Sequence, residues 1–105
     1  MYSDVVKALK DAGFKVVGER VDEPIPGTIK LSLRAMDYEA ETFGKKVIRW
    51  TYRASTKAHS VNELESLIKD VAEALYQKFE TVWMFETSID GLDAMIVFTI
   101  AEYVE

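Results

Sequence analysis

The spacing of apolar positions predicts a short helix near the beginning of the chain. Apolar residues recur at helical spacing over residues 4–12, and Ser3 precedes them in the position of an N-cap. Gly13 tolerates the left-handed backbone that ends many helices, and Phe14 can fold back on Leu9 as in a Schellman motif. The pattern therefore predicts a helix with one apolar face that ends before Gly13.

A second, longer apolar stripe is typical of an amphipathic helix over residues 61–79. The stripe consists of Val61, Leu64, Ile68, Val71, Leu75 and Phe79. Ser60 and Glu63 have the spacing of a capping box, in which a hydroxyl and a carboxylate each accept a hydrogen bond from backbone N–H groups. This helix is the strongest predicted element of the chain, and it begins after Ser60.

Five other stretches are predicted to be strands, and apolar residues alternate most clearly with a period of two over residues 29–35. The five stretches cover residues 15–21, 29–35, 47–54, 82–88 and 94–103. Residues 37–46 are polar and charged, which predicts a long hairpin loop between the second and third strands. Asp90 and Gly91 predict a two-residue turn between the last two strands, because Gly91 accepts a positive φ. The last strand is apolar on both sides, which indicates a central place in the sheet or a subunit contact.

The resulting order of elements, α-β-β-β-α-β-β, predicts a single α+β domain over residues 1–105. Because neighbouring strands are joined by hairpins, we expect a mostly antiparallel sheet of about five strands with the two helices packed on one face. Aromatic residues at alternate strand positions fit the core of this fold better than an aromatic binding surface. They are Trp50, Tyr52, Trp83 and Phe85.

Composition narrows the chemistry that the chain can perform. Its 105 residues include no cysteine, one histidine (His59) and no glycine-rich phosphate loop. Thiolate chemistry, cysteine-type zinc sites and a Ser-His-Asp triad therefore lack their parts. We expect no cofactor, no metal and no enzymatic activity, and a pair of carboxylates is the one enzymatic alternative that composition leaves open.

The net charge of −5, from 18 acidic and 13 basic residues, argues against nucleic acid and anionic membranes as partners. No apolar run reaches the roughly 20 residues of a membrane-spanning helix. The first residues carry neither the basic nor the apolar region of a secretory signal. We therefore expect a protein of the cytoplasm of a host cell, or of a virion.

A basic cluster on two strands is the most informative candidate site. Lys30 and Arg34 share the polar face of one predicted strand, and Arg49 and Arg53 share the matching face of the next. If the two apolar faces stay together, these four charges lie close, and like charges opposed across strands destabilise a sheet. Acidic groups of the same chain or of a second copy, or a phosphate, would offset the repulsion.

Three acidic residues, Asp37, Glu39 and Glu41, alternate in the predicted loop. They do not match the pattern of a calcium-binding loop, so they predict either a solvated loop or an electrostatic contact with a partner. Together with the four basic residues they form the predicted binding or subunit interface.

The order of elements across about residues 4–104 resembles that of the tail-terminator and tail-completion proteins of long-tailed bacteriophages. The shared pattern is a helix, a strand, a Pro-containing segment into a polar hairpin, a long amphipathic helix and a final hairpin whose last strand, residues 95–103, alternates. The resemblance implies a non-enzymatic building block that forms a ring, often a hexamer, at the end of a tail tube. It carries over no functional residues.

We therefore expect a structural protein that acts through contacts with copies of itself and with other protein subunits. The alternative is a small acidic binding or inhibitor module, of the nucleic-acid-mimic or anti-defence type. That alternative requires the acidic residues to cluster on one surface.

Overall fold

A computed structural model describes residues 1–18, 25–40 and 46–104. Two helices and five strands follow one another in the predicted order, which confirms the α+β fold class. The helices are α1 (Tyr2–Asp11) and α2 (Val61–Lys78), and the strands are β1 (Lys15–Val17), β2 (Thr28–Ala40), β3 (Lys46–Lys57), β4 (Val82–Asp90) and β5 (Asp93–Val104).

The five strands form one sheet in the order β1-β2-β3-β5-β4. Three of the strand pairs are antiparallel, while the short β1 lies parallel to β2. β5 lies between β3 and β4, so its two-sided apolar character reflects the central place predicted for it. β4 lies at one edge of the sheet.

Both helices pack on one face of the sheet and enclose the core. α1 contributes Val5 and Leu9, and α2 contributes Val71 and Leu75. The strand residues that meet them are Ile29, Leu31, Tyr52, Ala54, Ile96, Phe98 and Ile100. Burying a large apolar side chain stabilises a fold by about 1.5–3 kcal/mol, so this contact holds the two layers together.

The end of α1 is the predicted Schellman motif. Gly13 has a left-handed backbone, with φ of 96°. The Phe14 N–H donates to the Leu9 carbonyl at 3.1 Å, and the Gly13 N–H donates to the Lys10 carbonyl at 2.9 Å. Leu9 is buried and Phe14 packs against the core, so the stop is fixed by backbone and side chain together.

The beginning of α1 differs from the prediction. The helix begins at Tyr2, with Met1 as its N-cap and without a side-chain cap. The N–H groups of Asp4 and Val5 already donate to the Met1 carbonyl, at 3.0 and 3.1 Å. The prediction of Ser3 as N-cap is wrong because this residue lies inside the first turn.

The beginning of α2 follows the predicted capping box with one shift. The Ser60 hydroxyl accepts from the Glu63 N–H at 3.2 Å. The Glu63 carboxylate accepts from the N–H of His59, one residue before the cap, at 3.1 Å. Two N–H groups that the helix itself leaves without partners are thus satisfied by side chains.

Two predicted element boundaries need correction. The loop expected over residues 37–46 is wrong at both ends, since β2 continues to Ala40 and β3 begins at Lys46. Residues 41–45 lie outside the described residues, as do residues 19–24 of the region around the first predicted strand. The final hairpin turns at Gly91 and Leu92, one residue later than predicted.

A β-bulge divides β2 into two parts. Leu33 pairs with Tyr52 and Ala35 pairs with Thr51, so Arg34 is an extra residue between them. The bulge shifts the alternation of β2 by one residue, because paired residues share a face. Beyond it, even-numbered residues of β2 lie on the helix side of the sheet. Ala35, predicted on the apolar face, therefore lies on the other face.

Candidate subunit-contact surfaces

The β2–β3 hairpin reaches beyond the helices. We call its outer part, residues 33–40 and 46–50, the arm. The Tyr2 hydroxyl at the beginning of α1 donates to the Leu31 carbonyl at 3.1 Å, and residues 33–39 of β2 beyond this contact are exposed. The arm contributes to an elongated molecule, with principal extents of 50 × 26 × 23 Å.

Apolar side chains of the arm lie exposed on the helix side of the sheet. Leu33 is 41% exposed, Met36 52% and Tyr38 56%. We call these three residues the arm patch. Met36 lies opposite Trp50, which is half-buried and donates its indole N–H to Glu102 at 3.0 Å. The patch therefore continues the apolar face of the core out into solvent.

Met36 and Tyr38 were not predicted as contact residues, because the predicted second strand ends at Ala35. The sequence nevertheless contains an indication of the bulge. Apolar residues occupy odd positions from Ile29 to Leu33 and even positions from Met36 onward, and such a slip of phase is typical of a β-bulge.

The opposite face of the sheet carries no helix among the described residues, and we call it the helix-free face. Trp83 lies there, because its β5 partner is Thr99 and both point away from the core. Trp83 is 43% exposed, so its predicted place in the core is wrong. Trp50 and Tyr52 do lie with the core as predicted, and the Phe85 side chain is outside what the structure describes.

The four residues of the predicted basic cluster do not pair with one another across the hairpin. Lys30 lies opposite Ser55 and Arg53 lies opposite Ser32 on the helix-free face. Neither cation faces another, and Arg34 is exposed at the bulge. The expectation that these cations oppose one another directly across the strands is therefore wrong, because the register places serine across from both Lys30 and Arg53. The Nε of Arg53 is buried without a hydrogen-bond partner in the described part of the chain.

Acidic residues of β2 lie beside Arg49. Asp37 is its cross-strand partner, and Glu39 forms an ion pair with it. Both acids belong to a strand and not to a loop, because β2 extends to Ala40. The bulge places them on the helix-free face. This arrangement offsets the charge of Arg49 within the chain. Glu41, the third predicted acid, lies outside the described residues.

A groove of about 320 Å³ opens on the helix-free face beside the β4–β5 turn. Its polar lining includes Lys57, Asp90 and Asp93. The two aspartates face each other across the hairpin, and Lys57 lies opposite Asp93 on the next strand. Neither of the two ion pairs found among the described residues includes any of these three. The groove therefore holds two neighbouring carboxylates with one amine.

The Tyr52 hydroxyl is a buried polar group on the helix side of the sheet. It is buried without a hydrogen-bond partner among the described residues, and its ring stacks on Phe98 with centroids 5.5 Å apart. Burial raises the pKa of Tyr52 well above its ordinary value, and the nearby charges of Asp4 and Glu102 raise it further. The hydroxyl therefore stays neutral inside the core.

Within the described ranges, no group of three histidine or acidic side chains is arranged to hold a metal ion. Neither of the two described helices is long and apolar enough to cross a membrane.

No protein-family model matches the chain, and no curated protein is significantly similar to it.

Proposed function

We propose that the protein is a non-enzymatic structural subunit that acts by assembling with copies of itself, as a ring subunit of the tail-terminator kind. The observation that supports this most is the arm patch. Three large apolar side chains lie exposed in a row on paired strands of the arm, continuous with the core.

The free energy of burying apolar side chains favours a partner that covers the arm patch. Burying a large apolar side chain contributes about 1.5–3 kcal/mol, and aromatic residues are enriched among those that dominate interfaces. Leu33, Met36 and Tyr38 are each 41–56% exposed, so a partner can bury a further part of all three. Their strand pairing with β3 holds them in place before contact, which lowers the entropy cost of binding.

The two sides of the arm differ in a way that orients such a contact. The helix side is apolar, whereas the other side carries the Arg49–Glu39 ion pair with Asp37 beside it. A partner that covers the apolar side leaves the paired charges in water, where they cost nothing in desolvation. The bulge at Arg34 produces this separation.

The inhibitor alternative receives less support from the placement of acidic residues. Those described lie on both helices, for example Asp11 and Asp70, and on strands of the opposite layer, for example Glu86 and Asp93. They are distributed around the molecule, whereas a nucleic-acid mimic needs its acids on one surface.

Sedimentation velocity and light scattering test the proposal. We expect the wild-type chain to form a defined oligomer larger than a dimer, and Tyr38→Glu to shift it toward monomer, because the charge opposes burial of the arm patch. Tyr76→Glu is the matched control, since Tyr76 on α2 is also 56% exposed. It should leave the oligomer unchanged.

A wild-type chain that stays monomeric at high concentration, at both low and moderate salt, would overturn the proposal. Circular dichroism of both variants establishes that they are folded before their masses are compared.

A further inference from the structure

We propose that the two lateral edges of the sheet bind each other in neighbouring copies, with β4 of one subunit against β1 and β2 of the next. This inference rests on the proposed function, for which it names a second contact between subunits besides the arm patch. The observation behind it is that the two edges of one sheet carry opposite charges.

One lateral edge is basic in the part of the chain that the structure describes. Lys15 on β1 and Lys30 and Arg34 on β2 form this basic edge. Lys15 and Arg34 are exposed, and Lys30 is half-buried. Among the described residues none of the three has an acidic partner within 4 Å. β1 pairs with β2 only as far as Lys30, so β2 continues past the end of β1.

The other lateral edge is acidic. Glu86 and Asp90 on β4 form this acidic edge, and both are exposed. β4 is the last strand of the sheet, so the outer N–H and C=O groups of its backbone have no strand partner in the described part of the chain. Asp90 also faces Asp93, and a cation supplied from outside would relieve that repulsion.

The two edges lie at the same height on the sheet. The cross-strand register places Lys30, Ser55, Met95 and Ser88 in one row from β2 to β4. Ser88 lies midway between the two acids of the acidic edge. Copies placed side by side at equal height therefore bring the acidic edge against the basic edge.

Strand direction suits this arrangement as well. β1 runs parallel to β2, and each of the three further steps across the sheet reverses direction. β4 is therefore antiparallel to both β1 and β2. A second copy in the same orientation meets β4 with antiparallel strands, which extends the sheet from one subunit to the next.

Charge selects this pairing over the symmetric ones. Two acidic edges placed together oppose carboxylates, and two basic edges placed together oppose cations, and both contacts are destabilising. Only unlike edges attract. A contact between unlike surfaces is head-to-tail, so it generates a closed ring when the rotation between subunits closes.

Charge reversal at each edge tests the inference. Glu86→Lys/Asp90→Lys makes both edges basic, and Lys15→Glu/Arg34→Glu gives both edges a negative balance. All four positions are exposed, so the substitutions leave the core intact. Each double variant alone should raise the concentration needed for half-assembly by roughly tenfold or more.

The two double variants mixed in equal amounts provide the sharper measurement. Every edge then meets an edge of opposite sign, so an oligomer of the wild-type kind should form again in sedimentation velocity. Asp11→Lys/Asp70→Lys, at exposed helix positions, changes the net charge as much as the first variant does and should assemble like the wild type.

The outcomes separate the two proposals. An oligomeric wild type whose two double variants assemble equally well would overturn the edge contact and leave the proposed function in place. Dissociated variants that do not assemble when mixed would overturn the pairing of unlike edges. A monomeric wild type would overturn the proposed function, and the edge contact with it.

Discussion

At the scale of single residues, the protein contains a few polar groups whose surroundings decide their energy. The Tyr52 hydroxyl lacks a partner among the described residues, while Trp50, on the same strand, donates its indole N–H to Glu102. A buried polar group without a partner costs about 1–3 kcal/mol. The Tyr52 ring nevertheless belongs in the core, because it stacks on Phe98 and packs near Tyr2.

Replacing Tyr52 by phenylalanine should stabilise the fold by about 1 kcal/mol at neutral pH, because the ring remains and the unpartnered hydroxyl is removed. Urea unfolding monitored by circular dichroism measures the change. Tyr76→Phe, which removes a hydroxyl from the exposed surface of α2, is the control and should leave the free energy of unfolding unchanged. A loss of stability in Tyr52→Phe would contradict this account.

The same residue predicts a pH dependence. Because the pKa of Tyr52 is raised in the folded state, the folded chain holds this proton more tightly than the unfolded chain does. The stability linked to it is complete below the unfolded pKa of about 10 and is lost as pH rises above that value. We expect the free energy of unfolding to fall less steeply with pH in Tyr52→Phe than in the wild type. The measurement covers roughly pH 9 to pH 11, on both sides of that pKa.

At the scale of elements, contacts between near neighbours decide where the helices begin and end. A local irregularity, the bulge in β2, decides which residues of the hairpin share a face. Gly13 and Phe14 end α1, and Ser60 and Glu63 begin α2. Each of these contacts joins residues a few positions apart. The bulge at Arg34 is also local, but its consequence is not, since it decides which side of the arm is apolar.

The N-cap of α2 gives a prediction at this scale. Ser60→Ala should destabilise the protein by about 1 kcal/mol, because the Glu63 N–H loses its acceptor. Ser66→Ala, at an exposed position inside the same helix, should be neutral or slightly stabilising because alanine favours helices. Thermal unfolding of the two variants measures the difference. Equal melting temperatures would show that the cap contributes nothing.

At the scale of the whole molecule, stability and contact surface lie in different places. The core lies between the helices and the centre of the sheet, around Tyr52 and Phe98, whereas the arm extends from it with exposed apolar side chains. Regions with few buried contacts open more easily than the core. We therefore expect assembly to change local opening mainly in the arm and at the two lateral edges.

Hydrogen exchange should reveal this division. In the Tyr38→Glu variant, amides of residues 33–40 should exchange faster than those of β3 and β5 near the core. In the assembled wild type the arm amides should exchange roughly tenfold more slowly than in the variant, with core amides unchanged. Equal exchange of the arm in both proteins would place the subunit contact elsewhere.

The sequence by itself determined the two helices, the faces of β3 and the fold class. These features depend on spacings within one element and on capping contacts between near neighbours, which are visible in the sequence. The bulge in β2 was visible as well, as a slip of apolar phase between Leu33 and Met36, although we predicted a loop instead.

Only the tertiary structure decided which charged residues meet. Whether Arg53 faces Ser32 or a second cation depends on the register between strands, which residues far apart in the chain set together. The same holds for the two lateral edges, since the placement of β5 between β3 and β4 decides that Glu86 and Asp90 lie at the edge opposite Lys15 and Arg34. A single extra residue and the order of strands thus determine where this acidic chain presents its apolar patch and its opposite charges.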